Sequence, residues 1–314
     1  MAAGDLVAKG PASAEVVRWF VANGQYSVLG NHDEFLLKNA LLRGRLDGRR
    51  YESDADILLW DADRVAAAQA ADQDGEAYAR TYYARMNGFD YRARTECPHY
   101  GIVGELSDEE LRWVAALPLS IDLSAAFPPA PATAAAAAAG PAPTCAWTVV
   151  HAGLVPGVPL AAQHPAHMMQ MRNWEEARSE VSDATKIGSA WSLARSVPPS
   201  ASGSASDHGT NGQQPTGILF GHDAGRGFQF PQSSRLGLDT GACNGRFLTG
   251  LLLPESRLIS VPSHAMYSRP KSDVTRPPPL PSGIPLADVP CVEPAKAHAD
   301  APKSQAEAAS KSSL

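Results

Sequence analysis

The stretch SVLGNHDEFLLKN, residues 27–39, places a polar Asn-His-Asp triplet where an apolar run stops and a helical pattern begins. Residues 26–29 predict a β-strand, and residues 34–43 predict a helix with Glu34 and Lys38 four positions apart on one face. The triplet therefore lies in a predicted strand-to-helix turn. In an open α/β sheet, such turns meet beyond the carboxyl ends of the strands, where ligands bind. The stretch thus predicts an α/β fold with a site at this turn.

Two further predicted strands end in the same way. Residues 146–150 (AWTVV) are followed by His151, and residues 217–220 (GILF) are followed by a glycine and His222. Asp5 stands between two glycines in a turn that leads to the first predicted helix. A single residue of this kind is usually a hydrogen-bonded turn residue. Because three strands repeat the pattern, a shared site for a divalent metal of the Mn, Fe or Zn type is the stronger interpretation.

Two other helices carry clear boundary signals. Residues 13–23 (SAEVVRWFVAN) have apolar residues at helical spacing, begin with a serine in a capping position and end before Gly24. Residues 107–117 (SDEELRWVAAL) begin with a capping box of Ser107 and Glu110 and end before a proline. Both segments carry an apolar stripe that predicts packing against a core.

The chain divides into one predicted domain and three low-complexity segments. Residues 1–268 form the domain, with inserts at 124–143 and 198–216, and residues 269–314 form a tail. These segments are rich in Pro, Ala, Ser and Gly without apolar periodicity, so we predict that they are disordered. Within the domain, two apolar runs around a Pro-Glu-Ser turn at residues 247–263 predict a closing antiparallel pair.

Composition and charge restrict the partners. The chain of 314 residues carries 27 Lys and Arg against 33 Asp and Glu, and its net charge of -6 argues against binding to duplex nucleic acid or to an anionic membrane. No apolar run is long enough to span a membrane, and the first residues lack the layout of a secretory signal. The four cysteines are too scattered for a zinc motif or a disulfide framework, and we interpret them as reduced thiols. We therefore expect a cytoplasmic protein.

Four motifs, in order along the chain, resemble a known family. GDLVAKGP, LGNHD, VVHAGLVPG and FGHDAGRG are similar to motifs two to five of the calcineurin-like metallophosphoesterases of the phosphoprotein phosphatase superfamily. Ala8, Lys9, residues 171–173 (MRN) and residues 237–245 (GLDTGACNG) resemble the bis(5'-nucleosyl)-tetraphosphatase branch. The resemblance covers residues 4–267 and implies an α/β metallophosphoesterase-type β-sandwich of two mixed sheets flanked by helices.

The resemblance also implies metal ligands. Asp5 would bridge two divalent ions, and Asn31, His151 and His222 would complete one of the two metal sites. The first motif of the family, Asp-x-His within GDxHG, supplies ligands of the other site and lies some tens of residues before the position of Asp5. It is absent from the sequence. We therefore expect either an N-terminally incomplete version of an intact enzyme or a form that lacks one metal site.

The remaining roles implied by the resemblance concern the substrate. His32 would protonate the leaving oxygen, with Asp33 as a candidate helper. Lys9 and Arg172 would bind phosphate, and Arg226 is a third candidate for a phosphate contact. Two metal ions and a positioned acid are the parts that phosphoryl transfer to water requires.

Three functions from different classes fit these residues. The first is metal-dependent hydrolysis of dinucleoside polyphosphates or related nucleotides by a metal-activated hydroxide. The second is a Ser/Thr phosphoprotein phosphatase, and the third is a non-catalytic binding protein that lacks one metal site. In the tail, residues 277–285 (PPPLPSGIP) have P-x-x-P character, which we interpret as a spacer, with docking to an SH3-type groove as the alternative.

Overall fold

The computed structural model describes residues 1–46, 98–127, 146–184, 189–194, 215, 217–230 and 235–269. The predicted low-complexity inserts and tail lie outside these ranges, apart from a few residues at their edges. Of the cysteines, Cys243 is described, and its thiol is free. Within the described ranges, no helix is long and apolar enough to cross a membrane.

The described residues form an α/β structure. The helices are α1 (Ser13–Ala22), α2 (Asn31–Leu42), α3 (Pro98–Glu105), α4 (Asp108–Ala115) and α5 (Pro165–Gln170), with 3-10 turns at Leu160–Ala162 and Trp191–Leu193. The strands are β1 (Ser120–Asp122), β2 (Trp147–Val150), β3 (Asn173–Glu175), β4 (Glu180–Ser182), β5 (Ser189–Ala190), β6 (Gly217–Phe220), β7 (Arg235–Gly237), β8 (Phe247–Leu252) and β9 (Arg257–Pro262).

The helices α1 to α4 pack together around a common apolar cluster. Their stripes contribute buried side chains that are almost completely removed from water, among them Val17, Leu36, Leu37, Val103, Leu111 and Val114. The predicted capping box of α4 is confirmed, since the Glu110 N–H donates to Ser107 Oγ at 3.1 Å and the Ser107 N–H donates to Glu110 Oε2 at 2.7 Å. Two backbone donors at the start of α4 are thereby satisfied.

The predicted boundaries of α1 are right, but the predicted role of its first serine is wrong. The Ser13 hydroxyl does not cap the helix and instead accepts the N–H of Ala8 at 3.0 Å. The Ser13 hydroxyl forms this hydrogen bond because the turn before α1 brings the Ala8 amide close to it. At the other end, Gly24 has a φ of +58°, as predicted for the residue that ends a helix.

The main sheet has the strand order β1-β2-β6-β7, in which β2, β6 and β7 are parallel and β1 is antiparallel to β2. Because β2 and β6 are parallel neighbours, the residues that follow them lie side by side at one edge. The Gly221 N–H donates to the His151 carbonyl at 2.8 Å. This topology brings His151 and His222 together, as the sequence predicts.

The predicted strand at residues 26–29 is not formed as a regular strand. Its backbone groups go to two different partners: the Val28 N–H donates to Ala2 O at 3.3 Å, whereas the Leu29 N–H donates to Pro118 O at 2.8 Å. The pairing is therefore limited to an isolated parallel bridge between Ala2 and Ser27. Val28 and Leu29 still point inward and are buried, whereas Tyr26 is exposed.

The two faces of the main sheet pack against different layers. Alternate strand residues such as Val149 and Leu219 pack with Leu258 of β9, so the β8–β9 hairpin covers one face. Val150, Ile218 and Phe220 point to the other face, which is covered mainly by Met168, Met171 and Trp191. The predicted closing pair is confirmed. Among the described strands, one sheet is mixed and the other two are antiparallel, so the expected pair of mixed sheets is present only in part.

Candidate metal centre

The Asn-His-Asp triplet forms the first turn of α2 rather than the turn before it, because α2 begins at Asn31. The residue before the helix is Gly30, which has no side chain with which to cap it. Asp5 supplies the missing acceptor: its Oδ1 accepts the His32 N–H at 2.9 Å. A Cβ atom on Gly30 would lie 2.3 Å from the Asp5 nitrogen, so this close approach requires glycine.

The side chain of Asp33 connects the loop that contains Asp5 to the residue before α2. It is completely buried, and its carboxylate accepts the Leu6 N–H at 2.9 Å and the Gly30 N–H at 3.0 Å. Burial, together with the negative charge of Asp5, raises the pKa of Asp33 to about 8. The candidate role of Asp33 as helper of His32 finds no support, since its oxygens are directed at backbone amides of the loop.

His151 and His222 each direct a ring nitrogen without a proton toward the other residue. His151 Nδ1 lies 2.7 Å from Ala3 O, and His222 Nε2 lies 3.1 Å from Gln170 O. A carbonyl oxygen can only accept, so each of these nitrogens carries the ring proton. The opposite nitrogens, His151 Nε2 and His222 Nδ1, are 3.2 Å apart and are left as lone-pair donors.

Two oxygen atoms complete this group. His151 Nε2 lies 3.1 Å from Asn31 Oδ1 and 3.3 Å from Asp5 Oδ1. The ligand atoms of Asp5, His151 and His222 all lie within 4.8 Å of one another. Four electron-pair donors therefore converge with no proton between them, an arrangement that a cation would satisfy. Imidazole with carboxylate and amide oxygen suits a borderline divalent metal, and the donor set fits the predicted metal type.

The charges around the centre keep its donors available. Burial acts to raise the pKa of Asp5, but His151, His32 and His222 together lower it, so the carboxylate is ionised at neutral pH. Burial, aided by the positive charge of Arg172, holds the pKa of His222 well below its usual value. Neutral imidazole and ionised carboxylate are the forms that bind metals.

His32 lies next to these donors along α2, but its ring contacts a residue outside the group of four donors. Its Nδ1 lies 3.0 Å from Nε2 of His99, which belongs to α3 and is buried. Burial is the main cause that lowers the pKa of His32 to about 4. Sequence reasoning missed His99, which lies far from the four motifs, because its contact with His32 depends on how α3 packs on α2.

Arg172 lies beside the centre and is anchored there. Its guanidinium donates to Asp183 O at 2.8 Å and to His222 O at 3.3 Å, and its Nε is 3.9 Å from Asp223 Oδ1. Its side chain is 21% exposed, so it can still contact a ligand from solution. Asp223, which directly follows His222, was not singled out in the sequence.

The other two basic candidates differ. Both Nη atoms of Arg226 are engaged, because the guanidinium contacts the Asp223 carboxylate and Asn173 Oδ1. Arg226 is therefore a structural tether rather than a ready phosphate ligand. Lys9 is exposed, and its charge acts on His32. Lys9 has no ion-pair partner within the described part of the chain.

Comparison with known proteins gives little further information. No protein-family model matches the chain, and no curated protein matches it. A solved structure described as the "Crystal structure of a putative diadenosine tetraphosphatase" is similar with a TM-score of 0.49 and 24% sequence identity, over 83% of this chain and 78% of that one. At that similarity the match gives no basis for assigning an activity, and the case for one rests on the side chains of the centre.

Proposed function

We propose that this chain is a metal-dependent phosphoesterase that hydrolyses a phosphoanhydride or phosphoester bond. The observation that carries the proposal is the convergence of Asp5, Asn31, His151 and His222 as four electron-pair donors without a proton between them. Such a group calls for a cation, and its mixture of imidazole, carboxylate and amide oxygen matches metals used in hydrolysis.

The groups around the centre suit an anionic substrate. Arg172 is fixed beside His222, and the charges of Arg172 and Lys9 both act on His32. Two cationic side chains at the rim would attract phosphoryl oxygens and hold them in place. A bound divalent cation would neutralise further charge on those oxygens and lower the pKa of the attacking water.

His32 supplies the proton in this proposal. As water forms the new bond to phosphorus, the bond to the leaving oxygen breaks and its electron pair goes to that oxygen. His32 in its imidazolium form, which the negative charge of a bound phosphate favours, would transfer its Nε2 proton to that oxygen, and the neutral ring would then take up the proton that the attacking water releases. Such proton transfer accelerates these steps by about 10² to 10⁴. Within the described residues, Nε2 has no hydrogen-bond partner in the protein and is therefore available to a substrate.

Dinucleoside polyphosphates or related nucleotides are the proposed substrates. The support is the resemblance of GDLVAKGP, HAGLVPG and GLDTGACNG to the corresponding segments of bis(5'-nucleosyl)-tetraphosphatases. The same metal centre could serve a phosphoprotein phosphatase or a binding protein, so the substrate must be decided by assay.

The test compares two substrates on one preparation. The purified chain is stripped of metal with a chelator, reloaded with Mn²⁺ and assayed with diadenosine tetraphosphate and with a phosphoserine peptide. We expect hydrolysis of the dinucleotide, and we expect His151→Ala to lower turnover by about two orders of magnitude or more because a ligand is lost. His264→Ala, which changes an exposed histidine, is the matched control and should have no effect.

Two results would contradict parts of the proposal. Faster hydrolysis of the phosphopeptide would contradict the nucleotide substrate and favour the phosphatase. Tight Mn²⁺ binding without turnover on either substrate would favour the binding protein.

A further inference from the structure

His32 and His99 form a pair of imidazole rings beside the metal centre. Their Nδ1 and Nε2 atoms are 3.0 Å apart, the ring planes are inclined by 6°, and the ring centroids are 5.2 Å apart. The centroid separation exceeds the nitrogen–nitrogen distance by about one imidazole diameter. The rings therefore lie edge to edge in nearly one plane, which is the geometry of a straight N–H···N hydrogen bond.

A third ring fixes the plane of this pair. Phe35 stands edge-on to His32, with centroids 6.1 Å apart and an interplanar angle of 76°. It stands edge-on to His99 in the same way, at 5.8 Å and 71°. Phe35 and His99 are both buried, at 6% and 5% exposure. Rotation of the His32 ring would break the hydrogen bond and disturb the packing with Phe35.

The pair leaves only one nitrogen of His32 free to act. Nδ1 is occupied by His99, and Nε2 makes no hydrogen bond within the described residues. His32 lies beside the metal centre, since its backbone N–H donates to Asp5 Oδ1 at 2.9 Å and Asn31 directly precedes it.

We propose that His99 is a positioning residue for His32. Its imidazole holds the Nδ1 edge of His32 so that Nε2 is the nitrogen that delivers a proton to the leaving oxygen. The inference rests on the proposed function, because it assigns a role within the same reaction. A buried imidazole that served only to fill space would be less favourable than an apolar side chain, since burial of a polar group is costly without a hydrogen bond.

The kinetic test uses two esters that differ in their need for a proton. p-Nitrophenyl phosphate releases a stable anion, whereas phenyl phosphate releases a more basic one that needs protonation. We expect His99→Phe, which keeps the ring and removes its nitrogens, to lower kcat by about 100-fold on phenyl phosphate and only a few-fold on p-nitrophenyl phosphate, with KM unchanged. His99→Gln, whose amide can reach His32, should recover about tenfold of the loss. His264→Phe is the control and should behave as the wild type.

A second measurement does not depend on activity. Long-range ¹H–¹⁵N correlation spectra of the metal-free chain report the Nδ1 resonance of His32. We expect it to shift in His99→Phe and to stay unchanged in His264→Phe.

The outcomes separate this inference from the proposed function. An unshifted Nδ1 resonance, or equal losses of kcat on the two esters, would overturn the role of His99. If the Mn²⁺-loaded wild type hydrolyses neither ester, the spectra alone decide whether His99 holds His32: a shifted resonance supports that contact and an unshifted one excludes it. The proposed function fails only if diadenosine tetraphosphate is not hydrolysed either.

Discussion

At the scale of single residues, two of the four proposed metal donors have backbone conformations that side chains rarely adopt. Asp5 has a φ of +55° and His222 has a φ of +65°. Each such residue costs about 1–3 kcal/mol, so the surroundings must hold it in place. The His32 N–H holds Asp5, and Gln170 O together with Arg172 holds His222. The centre is thus fixed before any cation arrives.

Gly30 permits the close contact between Asp5 and α2. We predict that Gly30→Ala lowers Mn²⁺ affinity by about tenfold or more and destabilises the fold by about 1–3 kcal/mol, because the new Cβ would meet the backbone and the carboxylate of Asp5. Calorimetric titration and urea unfolding measure the two effects. Gly101→Ala is the matched control: it lies within α3 with nothing within 4 Å of its Cβ position, and it should be neutral or slightly stabilising. Unchanged affinity in Gly30→Ala would contradict the role of this contact.

At the scale of elements, helix α2 carries an ion pair whose setting the sequence did not indicate. Glu34 and Lys38 lie four positions apart and make the predicted contact, at 2.6 Å, but both side chains are less than 8% exposed, with values of 4% and 7%. A pair on a solvated helix face would contribute only a few tenths of a kcal/mol. Inside the protein the loss of one partner matters more, because the other charge stays buried.

We predict that Lys38→Met destabilises the chain by about 3–5 kcal/mol at neutral pH. Burial raises the pKa of Glu34, and the Lys38 charge acts to lower it. Without Lys38, the Glu34 carboxyl stays protonated in the folded state over a wider pH range. The free energy of unfolding of the variant is therefore highest below the unfolded pKa of Glu, about 4.3, and it falls as the pH rises above that value. Urea unfolding of the variant and the wild type between pH 5 and pH 8 measures this loss of stability.

The Glu34→Met, Lys38→Met double variant is the control, and it should recover most of the loss. A loss independent of pH would contradict the explanation.

At the scale of the whole molecule, the sequence could predict what is local and could not predict what depends on tertiary placement. The strands before His151 and His222 were predictable because each is a short apolar run next to its ligand. The parallel pairing of β2 with β6 then brings the two histidines together. In contrast, the pairing of residues 26–29 depends on which segment lies alongside them, and the contact of His99 with His32 depends on how α3 packs on α2. Neither leaves a periodic signal in the chain.

The four proposed donors come from four separate parts of the chain, so a cation bound between them would join the Asp5 loop, α2 and the ends of β2 and β6. Because the unfolded chain does not hold these side chains together, binding should stabilise the folded state by about 2.7 kcal/mol when free metal is 100 times the dissociation constant. We therefore predict that Mn²⁺ raises the midpoint of thermal unfolding in a concentration-dependent way and that His222→Ala abolishes this shift. His264→Ala, which leaves the four donors intact, should shift as the wild type does. An equal shift in His222→Ala would mean that the ion binds elsewhere, and the metal centre would then have to be abandoned.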